Sequence, residues 1–259
     1  MTSLVDVAAA LARRAGLIAL EGRRGGDLGE STKSSPTDIV TKYDRLCEQE
    51  IVEGLLAARP DDAVVGEEGA SRPGTSGVSW HIDPIDGTAN YFFGLPTWSV
   101  SVGACDADGP LAGAVYLPVL DEMFTASRGG GAFMNGTRIS PRGVTAVADA
   151  LLATGFGYDP SARAAHGRTV ANMVGKVRDI RRLGAASVDM CFVACGRLDA
   201  YVEGGLNSWD IMAAQLVLTE AGCLVTDFSG GPVSPAEVLA AAPSIHGGIM
   251  ELHDAARAR

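Results

Sequence analysis

The sequence predicts a layered fold of mixed α and β structure, and three observations support this class. Two segments with amphipathic helical spacing come first, several strand-like segments follow in close succession, and strands then alternate with helices. The first half therefore reads as an α+β layer and the second as an α/β layer. A chain of 259 residues can form one large domain or two small ones. We predict two, covering residues 1–145 and 146–259, with the boundary near residues 143–148.

The first half begins with two predicted helices. Apolar residues recur at helical spacing from Leu4 to Ile18. Residues 23–36 are polar and rich in glycine, which indicates a loop. A second helix is predicted over about residues 41–58, and its apolar face is formed by Leu46, Cys47, Ile51 and Leu55.

Strands fill the rest of the first half, whereas strands and helices alternate in the second half. In the first half, strands are predicted at residues 63–66, 79–83, 99–104, 111–117 and 123–126. In the second half, strands are predicted at residues 151–155, 179–183, 200–203 and 223–227. The helices between them are predicted at residues 161–174, 187–195 and 210–221. This alternation is typical of an α/β unit.

Composition limits the classes of partner. The net charge of −10 argues against nucleic acid as the main partner, because phosphate backbones attract basic surfaces. No stretch approaches the roughly 18 apolar residues that a membrane span needs. The first 24 residues lack the pattern of a signal peptide. Five scattered cysteines without a Cys-x-x-Cys pair fit a reducing compartment, so we expect a cytoplasmic protein.

Two aspartates lie three residues apart in the segment Trp-His-Ile-Asp-Pro-Ile-Asp-Gly-Thr-Ala-Asn, at positions 83 and 86. No lysine or arginine lies between Asp83 and Asp86, so their charges repel each other unless a cation binds there. Two further carboxylates lie at element ends, because Glu67 follows a predicted strand and Asp210 begins a predicted helix. Oxygen ligands of this kind suit Mg²⁺, which binds one or two carboxylates with water and phosphate oxygens. The pattern predicts a metal site.

The residues next to the two aspartates fit a phosphate-binding turn. Pro84 stiffens the turn and leaves the carbonyl of Ile85 free to act as a ligand. Gly87 permits a positive φ, so the amides from this residue onward can approach a phosphate closely. A polar turn capped by an aspartate side chain is the purely structural alternative.

Two other candidates also have a structural alternative. Thr41 and Asp44 are three residues apart and share a face of the predicted helix, which is equally the pattern of an N-terminal capping box. Asp210 is either a metal ligand or the N-cap of the helix that follows it. Spacing alone leaves both choices open.

Four segments together resemble the motifs of the inositol monophosphatase family. They are residues 33–44, Gly66-Glu67-Glu68, the segment from Asp83 to Asn90, and Trp209-Asp210-Ile211-Met212-Ala213-Ala214. They occur in the family's order, and the resemblance runs from about residue 5 to about residue 250. It implies an α-β-α-β-α sandwich related to fructose-1,6-bisphosphatase. It also implies a Mg²⁺-dependent, lithium-sensitive phosphatase that forms a homodimer.

The resemblance assigns roles residue by residue. Two or three Mg²⁺ ions would be held by Glu67, Asp83, the carbonyl of Ile85, Asp86 and Asp210. Thr88 with Glu67 would orient and deprotonate the attacking water, while Asp44 is hydrogen-bonded to Thr88. The phosphate would be held by Gly87, Thr88 and Ala89. The alcohol of the substrate would face Gly184, Ala185, Ala186, Glu203 and Asp210.

The implied reaction is hydrolysis of inositol-1-phosphate to inositol and phosphate by in-line attack of water, without a phosphoenzyme. A haloacid-dehalogenase-type phosphatase is rejected, because its two aspartates are two residues apart and here they are three apart. Histidinol phosphate, fructose-1,6-bisphosphate and 3′-phosphoadenosine 5′-phosphate are alternative substrates for the same chemistry. A regulatory protein that contacts the transcription machinery is the non-enzymatic alternative, with Arg178, Arg181 and Arg182 as a basic cluster.

Overall fold

The computed structural model describes residues 3–33 and 38–258, and its elements form five layers in which two sheets alternate with three layers of helices. The α-helices are α1 (Leu4–Gly25), α2 (Lys42–Ala58), α3 (Thr88–Phe93), α4 (Pro160–Met173), α5 (Ala186–Ala194), α6 (Ser208–Ala221) and α7 (Pro243–Arg257). Short 3₁₀ turns lie at Val147–Asp149 and Val174–Lys176. The layering confirms the predicted fold class and the α-β-α-β-α sandwich that the resemblance implies.

The strands form two large sheets and one small ribbon. The ribbon pairs β1 (Ser31–Thr32) with β2 (Ile39–Val40). The first sheet contains β3 (Ala63–Gly66), β4 (Ser71–Arg72), β5 (Ser79–Asp86), β6 (Ser99–Asp106), β7 (Gly109–Leu117), β8 (Glu122–Ser127), β9 (Gly131–Met134) and β10 (Thr137–Arg138). The second contains β11 (Leu151–Thr154), β12 (Asp179–Arg181), β13 (Ala200–Gly204), β14 (Leu224–Thr226) and β15 (Glu237–Ala241).

Strand order and direction differ between the two sheets. The first sheet has the order β10-β9-β8-β7-β6-β5-β3-β4 and is antiparallel except where β3 runs parallel to β5. The second has the order β12-β11-β13-β15-β14, with parallel pairing from β12 to β13 and antiparallel pairing beyond it. Parallel β3 and β5 therefore end at the same edge of the first sheet, which is where the predicted Glu67, Asp83 and Asp86 lie.

The helices of the middle layer join the two sheets. On the outer face of the first sheet, α1 packs against β5 to β8 and α2 packs against α1. On its inner face lies α6, which contacts β5 to β9, and α5 packs between α6 and β13. The far face of the second sheet is covered by α7, against which α4 packs. One buried apolar cluster accordingly contains Phe124 of β8, Val217 of α6 and Tyr201 of β13.

Several predicted elements need correction. Sequence spacing predicts Leu46 on the apolar face of α2, but it is 45% exposed, because it lies about 100° to 180° around the helix from the buried row Cys47, Ile51 and Leu55. The predicted loop at residues 23–36 includes β1, and positions 34–37 lie outside the described residues. The patterns predict no α3, β9 or β10, and no element beyond residue 227, where β15 and α7 lie.

Two further predictions concern the chain as a whole. The boundary near residues 143–148 falls in the connection between the two sheets, and the division into two domains stays a prediction. Within the described ranges, every helix is too short or too polar to cross a lipid bilayer. All five cysteines carry free thiols.

Candidate active site

A cleft of about 450 Å³ opens where the ends of β3 and β5 meet the starts of α3, α5 and α6. All the residues predicted to bind metal or substrate line it: Glu67, Asp83, Ile85, Asp86, Gly87, Thr88, Ala89, Gly184, Ala185, Ala186, Glu203 and Asp210. The remaining candidate, Asp44, lies behind Thr88 and contacts it. Positions more than 100 residues apart in the chain are thus brought to one place.

The turn between the two aspartates is irregular, as the proline requires. Pairing of β5 with β6 shifts register between Asp83 and Asp86, and Pro84 lies in this bulge, where no ladder hydrogen bond is lost. The Ile85 amide donates to Asp83 Oδ1 at 3.0 Å, so the aspartate-capped turn proposed as an alternative does form. Gly87 follows with φ +88°, and a Cβ there would lie 3.0 Å from the Cβ of Ala185. Only glycine fits this position without strain.

Asp86 caps the start of α5, although Asp86 itself lies at the end of β5 in the first sheet. The backbone amides of Ala186 and Ser187 donate to its two carboxylate oxygens at 3.2 and 2.7 Å. The hydroxyl of Ser187 adds a third bond, at 2.5 Å, and lies 2.7 Å from the hydroxyl of Ser99 on β6. The N-cap residue of α5 itself, Ala185, offers no side-chain acceptor. Asp86 therefore supplies the acceptor that the free amides of this helix end need.

Asp44 is at once a helix cap and a partner of Thr88. Its Oδ2 accepts from the amide and the hydroxyl of Thr41 at 2.7 and 2.6 Å, which completes the capping box of α2. Its Oδ1 lies 3.0 Å from Thr88 Oγ1, which lies equally 3.0 Å from the carbonyl of Ile85. The two interpretations of Asp44 are therefore compatible, and the Ile85 carbonyl is not wholly free.

Asp210 is not the N-cap of α6. The helix begins at Ser208 after the N-cap Asn207, and Asp210 occupies the third position. The Asn207 amide donates to Asp210 Oδ2 at 2.6 Å, and Asp210 lines the cleft. His81 lies 2.8 Å from the hydroxyl of Ser208, so this half-buried imidazole links β5 to the helix that carries Asp210.

The carboxylates are crowded enough to perturb one another. Burial raises the pKa of Asp86 to about 6 and that of Asp210 to about 8. The pKa of Asp83 is raised well above its usual range, by burial first and then by the negative charges of its neighbours, beginning with Glu67. Buried carboxylates of like charge favour either a bound proton or a bound cation. The site is therefore electrostatically unsatisfied by its own side chains.

A lysine approaches this cluster from the first half. Lys33 Nζ lies 3.0 Å from Glu67 Oε1 and also bonds Glu68. Burial alone would lower the pKa of Lys33, but the two glutamates raise it above its usual range. Residues 34–37 of the motif that contains Lys33 lie outside the described residues. The motif at residues 33–44 was the sequence signal that places Lys33 near the site, although no role was predicted for this side chain.

The second half contributes a polar wall around Glu203. Burial raises the pKa of Glu203 to about 7, although the hydrogen bond from Tyr201 (Oη to Oε2, 2.6 Å) lowers it. Asp189 of α5 is fully buried, and its Oδ1 has no partner within residues 3–33 and 38–258. Burial and the charge of Glu203 raise the pKa of Asp189 to about 8. The positive charge of Arg182 acts against both shifts.

Nine residues that line the cleft were not predicted as site residues, among them Tyr158, Arg163 and Arg182. Arg182 was assigned to a basic cluster, but the cluster does not form one free patch. Arg178 pairs with Asp149 at 3.1 Å, Arg181 pairs with Asp179 at 2.5 Å, and Arg182 turns to the cleft. Tyr158 and Arg163 lie at the start of α4. The spacing of residues in this segment does not indicate that the two side chains reach a site whose other residues are distant in the sequence.

The donor set fits a divalent ion such as Mg²⁺, since it combines carboxylate and carbonyl oxygens with a surplus of negative charge. Glu67, Asp83, Asp86, Asp210 and the Ile85 carbonyl would hold it. In the described part of the chain, no three acidic, histidine or cysteine side chains already form a closed metal cage.

Comparison with known proteins identifies the family of this chain. The profile of the inositol monophosphatase family matches residues 1–258. The chain is 39% identical over 245 residues to the Inositol-1-monophosphatase SuhB of Mycobacterium tuberculosis, which covers 90% of this chain and 84% of that protein. It is 36% identical over 249 residues to the Nus factor SuhB of Pasteurella multocida, covering 95% and 93%. The IMPase structure of Thermotoga maritima superposes with a TM-score of 0.89 at 31% identity, covering 97% and 96%. The chain therefore belongs to the inositol monophosphatase family, a family of phosphatases.

Proposed function

We propose that this phosphatase is a Mg²⁺-dependent inositol-1-monophosphatase that releases inositol and phosphate. The observation that carries the proposal is the meeting of four carboxylates with the Gly87 turn on one side of a cleft and Glu203 on the other. An anionic phosphate cannot approach such an acidic wall unless cations bind there first. An uncharged polyol can approach the same wall without a cation, because a carboxylate accepts hydrogen bonds from neighbouring hydroxyls.

Different residues of the site bind the phosphate, orient the attacking water and accept its proton. The amides of Gly87 to Ala89 hold the phosphate oxygens. Thr88 orients the attacking water through its hydroxyl oxygen, because its proton is engaged by Asp44 or by the Ile85 carbonyl. Glu67 accepts the proton of that water. When bound, Mg²⁺ supplies Lewis-acid chemistry, which lowers the pKa of water and stabilises the negative charge on phosphate and leaving oxygens.

The wall opposite the phosphate turn selects the alcohol. Gly184 to Ala186 present backbone and small side chains to the cleft, which leaves room for a ring. Burial raises the pKa of Glu203 to about 7, so it can accept a hydrogen bond from a hydroxyl when ionised or donate one when protonated. We propose that these residues contact the inositol ring and that Asp210 contacts it from the metal side.

Relatives named as Nus factors raise a second possibility, because this name occurs among the proteins similar to this chain. The basic cluster proposed for such a role is divided, with Arg178 and Arg181 paired to acids and Arg182 at the cleft. We therefore favour the enzyme. A cytoplasmic homodimer goes with the proposal, and sedimentation velocity of the purified chain tests the dimer.

The test is a substrate panel at several metal conditions. We expect the highest kcat/KM for inositol-1-phosphate over histidinol phosphate, fructose-1,6-bisphosphate and 3′-phosphoadenosine 5′-phosphate. Activity should require Mg²⁺, disappear in chelator and fall in Li⁺. The Asp86→Asn variant, folded but inactive, is the control for contaminating phosphatase. Metal-independent turnover would refute the mechanism, and a preference for histidinol phosphate would refute the substrate.

A further inference from the structure

Asn90 is the last residue of the Asp-Pro-Ile-Asp-Gly-Thr-Ala-Asn segment. It lies on α3, directly after the phosphate turn, and is buried. Its Nδ2 donates to the Thr97 carbonyl at 2.5 Å and to the Leu183 carbonyl at 2.7 Å, and lies 3.1 Å from Thr97 Oγ1. One side-chain amide thus joins two segments that are 93 residues apart.

The contact continues at the next residue of the second segment. Gly184 has φ +92°, and a Cβ placed on it would lie 3.1 Å from Asn90 Nδ2 and 3.2 Å from Oδ1. The Thr97 hydroxyl also donates to the Leu183 carbonyl, at 3.2 Å. The amide of Asn90 therefore packs closely against the backbone at Leu183 and Gly184. This fit needs glycine at position 184 for both conformation and space.

Leu183 and Gly184 lead into the residues that face the alcohol in the proposed function. On the other side of Asn90, the preceding residues Thr88 and Ala89 belong to the turn that faces the phosphate. Asn90 therefore joins these two walls of the cleft at Leu183, as Asp86 joins them at Ala186. A displacement of about 1 Å between reacting groups costs up to a hundredfold in rate.

We propose that Asn90 is a positioning residue that sets the alcohol-facing wall, Leu183 to Ala186, against the phosphate turn. The inference rests on the proposed function, and it assigns Asn90 to recognition of the leaving alcohol rather than to metal binding. The start of α5 is held separately, because Asp86 accepts from the amides of Ala186 and Ser187. Loss of Asn90 therefore loosens the wall while the metal ligands keep their anchor.

The test compares a substrate that needs the wall with one that does not. Inositol-1-phosphate presents ring hydroxyls to the wall, whereas p-nitrophenyl phosphate has none. In Asn90→Asp, of nearly equal shape, an oxygen replaces the donor nitrogen opposite two carbonyls. We expect the ratio of kcat/KM values, inositol-1-phosphate over p-nitrophenyl phosphate, to fall at least tenfold. Half-saturating Mg²⁺ should stay within twofold of the wild-type value.

Asn172→Asp is the matched control. The Asn172 amide donates to the Ala256 carbonyl at 2.9 Å, between α4 and α7 and away from the cleft, so the ratio should not move. Thr97→Val is the second variant if Asn90→Asp fails to fold, and it should lower the ratio about threefold by removing one bond to Leu183. A folded Asn90→Asp or Thr97→Val enzyme with the wild-type ratio overturns the inference. Wild-type chain that hydrolyses p-nitrophenyl phosphate but not inositol-1-phosphate overturns the proposed substrate, and the inference with it.

Discussion

The substitution Ser187→Ala removes one of three hydrogen bonds that stabilise the ionised form of Asp86. The two backbone donors remain, so the start of α5 stays capped. A hydrogen bond to a charged group contributes about 1.5–3 kcal/mol, and about 1.4 kcal/mol equals one pKa unit. The pKa of Asp86, about 6 with all three bonds, should therefore rise by about one unit or more. At pH 7 more of this carboxyl is protonated, and we expect apparent Mg²⁺ affinity to fall up to tenfold.

Titration calorimetry with Mg²⁺ at pH 7 and pH 9 measures this effect directly. At pH 9 the carboxyl is almost fully ionised in both proteins, so the difference between their Mg²⁺ affinities should nearly disappear. The control is Ser99→Ala, which removes the bond between the two serine hydroxyls but leaves the bond to Asp86, and it should bind Mg²⁺ as the wild type does. Wild-type affinity of Ser187→Ala at pH 7, or an equal deficit at pH 9, would refute the reasoning.

Three further predictions concern the same cleft. Gly87→Ala should lower the free energy of unfolding, measured in urea, by about 1–2 kcal/mol, because φ is +88° at this position. The displaced turn should also lower kcat/KM about a hundredfold. An unchanged free energy of unfolding would contradict the strain argument. Thr88→Val should lower kcat at least a hundredfold, whereas Thr88→Ser, which keeps the hydroxyl beside Asp44, should stay within tenfold of wild type. Equal losses would show that the methyl group matters instead. In chelator, the melting temperature should fall as the pH rises from about 4 to about 8, because the raised pKa values of Asp86 and Asp210 make the folded chain bind more protons than the unfolded chain in that window. Saturating Mg²⁺ should remove most of this fall, and a flat profile in chelator would contradict it.

Contiguous motifs made the phosphate turn predictable from sequence. Asp83, Asp86 and Gly87 are close in the chain, so their spacing already constrains how they can meet a ligand. Glu67 was predictable because parallel strands end at a common edge, and the pairing of β3 with β5 brings it there. Glu203 was reached only through the family resemblance, since its place in the cleft depends on how the second sheet is layered.

Residues that act across the layers could not be predicted in this way. Ser187 reads as one more small residue on a buried helix, and its bond to Asp86 exists only because α5 docks against the first sheet. The sequence suggests that Arg182 is a surface charge like Arg181. Only the path of the chain before Gly184 shows that Arg182 lines the cleft. The predicted burial of Leu46 is wrong for the converse reason, because hydrophobicity predicts burial only where a neighbouring element covers that side of the helix.

The placement of Asp210 on α6 has a consequence for how the molecule is made. Glu67, Asp83 and Asp86 lie on the first sheet, but α6 reaches that sheet only after the chain has passed through β11, β12 and β13. Closing so long a loop is slow and costs entropy, so we expect the fourth carboxylate to reach the other three late in folding. A nascent chain that ends before α6 therefore lacks one of the four carboxylates, and the site can be completed only after α6 has been synthesised and has packed on the first sheet.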